Sequence, residues 1–226
     1  MKILALDTST EFCSAALWLD GAVDEREVLA GQTHSSVLLG MVDELLHAHA
    51  LTIRDLSGIA YGEGPGSFTG LRITCGVVQG LAFGAERPVV GVGTLLAIAA
   101  GCAAERVVCC LDARVHEIYH AAYQRHADVW RAVCEPSLCA PDAAPDLPGG
   151  EWFAAGGGFR AYREALTRRY SGQLQAIEPD RYPHARDIAA LAAPRFAAGE
   201  VFSAEHAAPL YLRDKVALRI DERATR

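Results

Sequence analysis

Two aspartates that end apolar segments are the residues of this chain best suited to phosphate chemistry. Asp7 follows the run Leu4-Ala5-Leu6, and Asp112 follows Cys109-Cys110-Leu111. A carboxylate at the end of a buried strand can hold magnesium, which prefers oxygen ligands. Glycine suits a position where the backbone must approach a phosphate closely, yet no glycine directly follows either aspartate. We therefore predict no catalytic residue and two degenerate phosphate loops. These loops lie at Asp7, Thr8, Ser9, Thr10 and Asp112.

A glycine-rich segment, Gly62-Glu63-Gly64-Pro65-Gly66-Ser67, precedes a predicted helix. The free N–H groups at the start of a helix attract anions, so the segment could cradle a phosphate. However, it lacks the Gly-Lys-Ser/Thr ending of a P-loop, and the carboxylate of Glu63 would repel phosphate. We favour the alternative interpretation, a rigid turn that lets backbone approach backbone closely.

The histidines, cysteines and serines lack the spacing of a metal or hydrolase site. His116 and His120 lie in a predicted strand, where four residues span about 13 Å, too far to share one metal ion. The sequence contains neither a Cys-x-x-Cys pair nor a Gly-x-Ser-x-Gly elbow. We predict neither a metal site nor a peptidase nucleophile. We expect most of the seven cysteines to behave as small buried hydrophobic residues.

The elements that must position these residues form two units. The first unit opens with strands at 2–7, 13–19 and 25–30, joined by a hairpin turn at Asp20-Gly21. It continues with a helix at 35–50, a strand at 58–62, a helix at 67–84, a strand at 88–92 and a helix capped by Thr94.

The second unit repeats this order from Glu105 onward. Its predicted strands are 106–112, 117–123, 128–133 and 152–155, its helices are 159–170 and 184–198, and the proline-rich segment 135–150 is a loop. This alternation indicates an α/β protein of two lobes, each a mixed sheet with helices. We expect an N-terminal lobe of 1–104, completed by the segment 205–226, and a reduced C-terminal lobe of 105–204.

The composition limits the classes of partner. The net charge is −7, and the arginines are spread along the chain, so direct nucleic-acid binding by this chain alone is disfavoured. No apolar run approaches the length that spans a bilayer, and an acidic residue at position 7 interrupts the N-terminus too early for a signal peptide. We expect a cytoplasmic protein with no membrane partner.

Two predicted helices carry features of a contact surface. On the helix at 35–50, apolar residues cover an arc of roughly 220° at 100° per residue, whereas one core needs somewhat over 100°. The surplus predicts a contact with a partner, and the alternative is a helix buried centrally in its own lobe. On the helix at 67–84, Gly76, Gly80 and Gly84 lie on one ridge, although a glycine inside a helix costs about 1 kcal/mol relative to alanine. A smooth ridge allows the close approach of a neighbour, either in the chain's own core or in another subunit.

The segment at 62–73, Gly-Glu-Gly-Pro-Gly-Ser-Phe-Thr-Gly-Leu-Arg-Ile, strongly resembles the signature of the TsaB (YeaZ) family. That family lies within the actin, sugar-kinase and Hsp70 superfamily. Other matching blocks follow in the same order, at 6–10, 34–35, 41–46, 79–84, 112–114 and 211–213. The resemblance implies an actin-like, ribonuclease H-like ATPase fold in which each lobe presents an aspartate on its first strand.

The resemblance also implies a function. Family members support the transfer of a threonylcarbamoyl group to the adenosine next to the tRNA anticodon, as non-catalytic partners of the catalytic homologue TsaD and the ATPase TsaE. For the chain alone it implies no cofactor and a homodimer. For the assembled complex it implies ATP or ADP and tRNA. An active acetate- or sugar-kinase-like enzyme and a peptidase remain alternative hypotheses.

The same resemblance assigns the helix at 67–84 to the pairing face, and the wide apolar arc adds the helix at 35–50. The implied contact residues are His34, Leu38, Met41, Val42, Leu45, Thr69, Arg72, Ile73, Gly76, Gln79 and Gly80.

Overall fold

The first sheet is centred on the strand that ends in Asp7. The computed structural model describes residues 1–31 and 33–213. The strands of this sheet are β1 (Lys2–Asp7), β2 (Phe12–Leu19), β3 (Ala22–Leu29), β4 (Gly58–Gly64) and β5 (Val89–Gly93). Their order is β3-β2-β1-β4-β5, with β2 antiparallel and β4 parallel to β1. The predicted hairpin turn is confirmed, because Asp20 and Gly21 both have positive φ between the paired residues Leu19 and Ala22.

The second sheet repeats the topology of the first. Its strands are β6 (Arg106–Arg114), β7 (Glu117–His126), β8 (Val129–Cys139), β9 (Trp152–Ala155) and β10 (Leu174–Glu178), in the order β10-β9-β6-β7-β8. The strand that carries Asp112, β6, is again central, with an antiparallel neighbour on one side and a parallel neighbour on the other. The predicted duplication and the two-lobed α/β fold are therefore confirmed.

The helices differ more between the lobes than the sheets do. They are α1 (His34–Ala48), α2 (Phe68–Ala85), α3 (Thr94–Ala100), α4 (Gly158–Ala161), α5 (Arg163–Arg169) and α6 (Ala185–Ala198). Both sheets have five strands, whereas α4 and α5 have 4 and 7 residues against 15 and 18 in α1 and α2. The predicted reduction of the second lobe thus lies in its helices.

Helices cover both faces of the first sheet. Leu4 and Leu6 of β1 face a core shared with α1 and α2, whereas Ile3 and Ala5 face a core shared with α6, as the alternation of side chains along a strand requires. The sequence analysis assigned α6 to the second lobe. The structure corrects this, because the alanine-rich side of α6 is buried against β1, β2 and β4. The rest of the predicted division stays a prediction.

Helix α3 joins the two lobes. Its residues Leu95 and Ile98 are buried against the second sheet, whereas Ala97 belongs to the core beneath α6. Thr94 does not cap this helix as predicted. Gly93 occupies the N-cap position, and the Thr94 hydroxyl instead donates to the carbonyl of Pro65.

Two predicted boundaries in the second lobe are wrong. The predicted loop at 135–150 begins later, because β8 continues to Cys139. Pro136 falls where the register with β7 shifts, and prolines are tolerated at such bulges. The predicted helix at 159–170 is two helices, because Tyr162 leaves the helical conformation between α4 and α5, with φ −130° and ψ 40°.

The C-terminal segment returns to the first lobe. A 3₁₀ turn at Ala204–His206 brings Ala204 and Ala207 into the core beneath α2. Residues 214–226, which belong to the segment expected to complete this lobe, lie outside the described residues. Among the helices of the described ranges, none is both long and apolar enough to cross a membrane.

Candidate functional site

Asp7 ends β1 in the interior of the first lobe. The residue is 1% exposed, and its Oδ2 accepts hydrogen bonds from the backbone N–H of Ser9 at 3.1 Å and from the Ser9 hydroxyl at 2.8 Å. Its Oδ1 has no partner among the described residues. Burial raises the pKa of Asp7 to about 7, against the lowering effect of the bonds from Ser9. The first predicted phosphate loop therefore presents no exposed carboxylate.

The start of α2 covers the rest of this loop. The N–H of Ser67 donates to the Ser9 carbonyl at 2.7 Å, and the Thr8 hydroxyl donates to the Gly70 carbonyl at 2.7 Å. A Cβ at Gly66 would lie 2.5 Å from the Ser9 carbonyl oxygen, and one at Gly70 would lie 1.9 Å from that of Thr8. These distances confirm the interpretation of the glycine-rich segment as a turn that permits close backbone approach.

Asp112 near the end of β6 is held by its own loop. Its Oδ1 accepts the backbone N–H of Arg114 at 2.8 Å, and the Arg114 guanidinium lies 3.1 Å from Oδ2. Arg114, Val115 and His116 have successive φ values of 62°, 54° and 61°, a left-handed backbone that disfavours a β-branched residue such as Val115. The second predicted loop is thus a strained hairpin whose carboxylate already has an arginine partner.

A cleft of about 940 Å³ lies between the two lobes. Ser9 and Thr10 line one wall and Asp112 and Arg114 line the other, so the structure brings both degenerate loops to one place. The residues do not fit a magnesium nucleotide. Asp7 lies beneath the surface and outside the lining, and the Asp112 carboxylate is paired with Arg114.

Three residues expected on the partner surface lie instead in the core of the first lobe. Leu38 and Leu45 are 0% exposed, and Val42 is 4% exposed. The wide apolar arc of α1 serves two internal neighbours, because this helix packs against both β2 and α2. The structure therefore removes these three side chains from the predicted contact surface.

His34, Met41 and Ile73 also contribute mainly to internal packing. His34 is 6% exposed, and its Nε2 lies 2.9 Å from the carbonyl oxygen of Thr10. Met41 and Ile73 are partly buried against the core of the first lobe. These side chains support the first loop and fill the core more than they form a surface.

The remaining expected contact residues are exposed. These are Thr69, Arg72, Gly76, Gln79 and Gly80, all on α2. A Cβ built at Gly76, Gly80 or Gly84 would meet no described atom within 4 Å, apart from the backbone of the helix itself. The glycine ridge therefore faces away from the chain's own core, so the first of its two predicted neighbours is ruled out among the described residues.

Sequence reasoning missed the largest apolar side chain on this surface. Phe83 is 80% exposed and lies three residues after Gly80, on the same side of the helix. The sequence signal that could have identified Phe83 is its position between two glycines of the ridge, Gly80 and Gly84. We define the outer face of α2 as Gly76, Gly80, Phe83 and Gly84. On α1, next to this helix, Leu39 is also 51% exposed.

One group of described residues has the spacing of metal ligands. Glu25 and Glu27 of β3 and His184 offer atoms within 4.8 Å of one another. The Nδ1 of His184 bonds Glu27, and the Arg186 guanidinium lies 3.0 Å from Glu25. Each carboxylate already has a hydrogen-bond donor, so we interpret this group as the polar contact that fixes the start of α6 on β3.

Comparisons with known proteins relate the whole chain to one group. Residues 28–219 match the family model described as TsaD, tRNA N6-adenosine threonylcarbamoyltransferase. The chain is 40% identical over 227 residues to the tRNA threonylcarbamoyladenosine biosynthesis protein TsaB of Escherichia coli (strain K12), with 96% of each chain covered. It is 35% identical to the protein of the same name from Haemophilus influenzae, over 96% of this chain and 95% of that one.

Solved structures show the same relationship. YeaZ from Pseudomonas aeruginosa superposes with a TM-score of 0.86 at 38% identity, over 93% of this chain and 99% of that one. A second structure, described as an uncharacterized protein with similarity to peptidase YEAZ from Pseudomonas aeruginosa, gives a TM-score of 0.87 at 38% identity, over 94% and 99%. The chain therefore belongs to the TsaB (YeaZ) family, within the wider group of TsaD-like domains.

Proposed function

We propose that this chain is a non-catalytic partner subunit in the formation of threonylcarbamoyladenosine on tRNA. The observation that carries the proposal is the 40% identity, along 96% of the chain, to a TsaB named for that biosynthesis. The catalytic partner is the homologue TsaD, the third subunit is the ATPase TsaE, and the complex works in the cytoplasm.

The state of the two loops supports a non-catalytic role. A kinase of this fold needs a carboxylate in each lobe that can reach a magnesium nucleotide, but Asp7 is 1% exposed and Asp112 is paired with Arg114. In the assembled complex, ATP or ADP is bound mainly by other subunits, and tRNA is bound through the complex because this chain has a net charge of −7.

The peptidase alternative gains no support from the cleft. Two serines line it, but Ser9 donates to the buried Asp7, and the Ser67 side chain caps α2 by accepting the N–H of Gly70. The cleft histidine, His34, bonds a backbone carbonyl. A hydrolase needs a nucleophile in hydrogen-bond contact with its base, and these side chains are engaged elsewhere.

The outer face of α2 is the surface we assign to the partner. The open ridge of Gly76, Gly80 and Gly84 permits close helix approach, and Phe83 offers an apolar side chain that is 80% exposed. Exposed apolar surface of this kind marks interaction sites. TsaD has a homologous fold, so the same face pairs with a second copy of this chain when TsaD is absent.

Reconstitution tests the proposed function. The chain, TsaD and TsaE from the same organism are mixed with unmodified tRNA, threonine, bicarbonate, ATP and the enzyme that makes the threonylcarbamoyl donor, and the modified nucleoside is measured by mass spectrometry. We expect modification only when this chain is present, and none when it replaces TsaD. Full modification without this chain, or steady ATP turnover by the chain alone, would refute the proposal.

A further inference from the structure

Residues 204–213 run along the first lobe and end on the second. Ala204 and Ala207 are buried beneath α2, and the N–H of Leu210 donates to the carbonyl of Glu63 at the end of β4. Leu210, Tyr211 and Arg213 then line the cleft between the lobes. We call residues 204–213 the strap.

Two exposed side chains of α2 hold the strap on the first lobe. The Gln79 amide donates to the carbonyl of Ala207 at 2.8 Å, and the Arg72 Nε donates to the hydroxyl of Tyr211 at 2.9 Å. The Arg72 guanidinium also lies 3.9 Å from the centre of the Phe68 ring. Gln79 and Arg72 are neighbours of the glycine ridge on the helix that we assign to the partner.

One arginine ties the strap to the second lobe. The Arg213 guanidinium donates to the carbonyl of Ala113 at 3.0 Å and to the carboxylate of Glu117 at 2.7 Å. Arg213 is 20% exposed and Glu117 37% exposed at the side chain. A charge-assisted pair of this kind is stronger than a neutral hydrogen bond. Its acceptors flank the strained hairpin at 114–116, which forms the far wall of the cleft.

We propose that the strap sets the opening of the cleft, with Arg213 as the latch and Gln79 and Arg72 as its attachment to α2. Breaking the latch frees the hairpin of the second lobe from the first lobe. The packed connections that remain include α3 and Tyr182, which contacts Phe12 of β2 and Arg160 of α4. Because a partner on α2 competes for Gln79 and Arg72, docking loosens the strap and opens the cleft. This coupling rests on the proposed function, whereas the latch itself does not.

The latch is tested on the isolated full-length chain. Nitroxide labels are attached through p-acetylphenylalanine at Ala190 of α6 and Arg131 of β8, both exposed and one in each lobe, and their distance distribution is measured by pulsed electron resonance. We expect Arg213→Ala and Glu117→Ala to broaden or lengthen the distribution alike. The control, Arg168→Ala, removes an exposed ion pair with Asp142 inside the second lobe and should leave it unchanged.

The inference has two parts, the latch and its coupling to docking, and a separate outcome would overturn each of them. If the distance distributions of both latch variants overlie that of the wild type, Arg213 does not hold the two lobes together. This conclusion does not depend on the function of the chain. The coupling is measured by adding TsaD to the labelled wild type, with the complex confirmed by gel filtration. We expect the distribution to move toward that of Arg213→Ala. An unchanged distribution in a confirmed complex would refute the coupling, whereas failure to form the complex would count against the proposed function.

Discussion

At the scale of single residues, Asp7 shows how a superfamily position changes its role. The carboxyl group lies under the backbone, where a Cβ at Gly62 would come within 1.9 Å of Oδ1. It accepts two hydrogen bonds from Ser9, and burial raises its pKa to about 7. Asp7 therefore organises its own loop from within the core and has no contact with the cleft.

The raised pKa of Asp7 predicts a pH-dependent stability. Its pKa is 3.8 in the unfolded chain and about 7 in the fold, so between these values the folded state binds more protons. The contribution of the Asp7 carboxyl group to the free energy of unfolding is fully present below pH 3.8 and is lost as the pH rises toward 7. Each unit of pKa difference between the folded and unfolded states corresponds to about 1.4 kcal/mol. This conversion sets an upper limit on the free energy of unfolding that is lost.

Urea unfolding of the wild type and Asp7→Asn between pH 5 and pH 8 measures this effect. The neutral amide cannot ionise, so the stability of the variant relative to the wild type should increase as pH rises. A constant difference across this range would show that Asp7 ionises normally in the fold.

Two glycines of α2 should respond in opposite ways to the same change. Gly76→Ala should stabilise the protein by about 0.5–1 kcal/mol, because the position is open and alanine is the better helix former. Gly70→Ala should destabilise it by about 1–3 kcal/mol, because the new Cβ would lie 1.9 Å from the Thr8 carbonyl oxygen. Thermal unfolding of the two variants provides the comparison, and equal shifts would contradict the packing described for the first loop.

At the scale of elements, helical periodicity identified the helices but not their neighbours. The apolar arc of α1 predicted a second contact, and the structure shows that this contact is α2 of the same lobe. An arc reveals how much surface is apolar, and only the packing of the sheet and of α2 reveals what covers it. The glycine ridge was more informative, because the space beside Gly76, Gly80 and Gly84 is open in the fold, as a contact with another subunit would require.

The outer face of α2 predicts self-association of the isolated chain. Phe83 is 80% exposed there, so Phe83→Glu should convert a dimer to a monomer without unfolding it. The matched control is Ala190→Glu on α6, which adds the same charge at an exposed position on the helix that covers the opposite face of the first sheet. Sedimentation velocity at tens of micromolar distinguishes the states, and a wild type that is monomeric at that concentration would contradict the prediction.

At the scale of the whole molecule, the duplication could be predicted because each lobe opens with an apolar strand that ends near an aspartate. The repeat predicted two lobes with a mixed sheet in each, and both sheets are present. We expected the segment 205–226 to complete the first lobe, but the sequence could not reveal that α6 returns to that lobe as well. The alanine-rich segment of α6 fits either lobe equally well, and only its burial against β1, β2 and β4 decides between them.

The proposed role of this chain depends on its pairing with TsaD through the outer face of α2. The most direct measurement is the dissociation constant of this pair for the wild type, Gly80→Leu and the control Ala190→Leu, with circular dichroism to verify folding. Gly80 has open space around it, so Gly80→Leu should fold normally yet weaken pairing at least about tenfold, a change of about 1.4 kcal/mol, while Ala190→Leu pairs like the wild type. A folded Gly80→Leu chain that binds TsaD as tightly as the wild type would contradict the account.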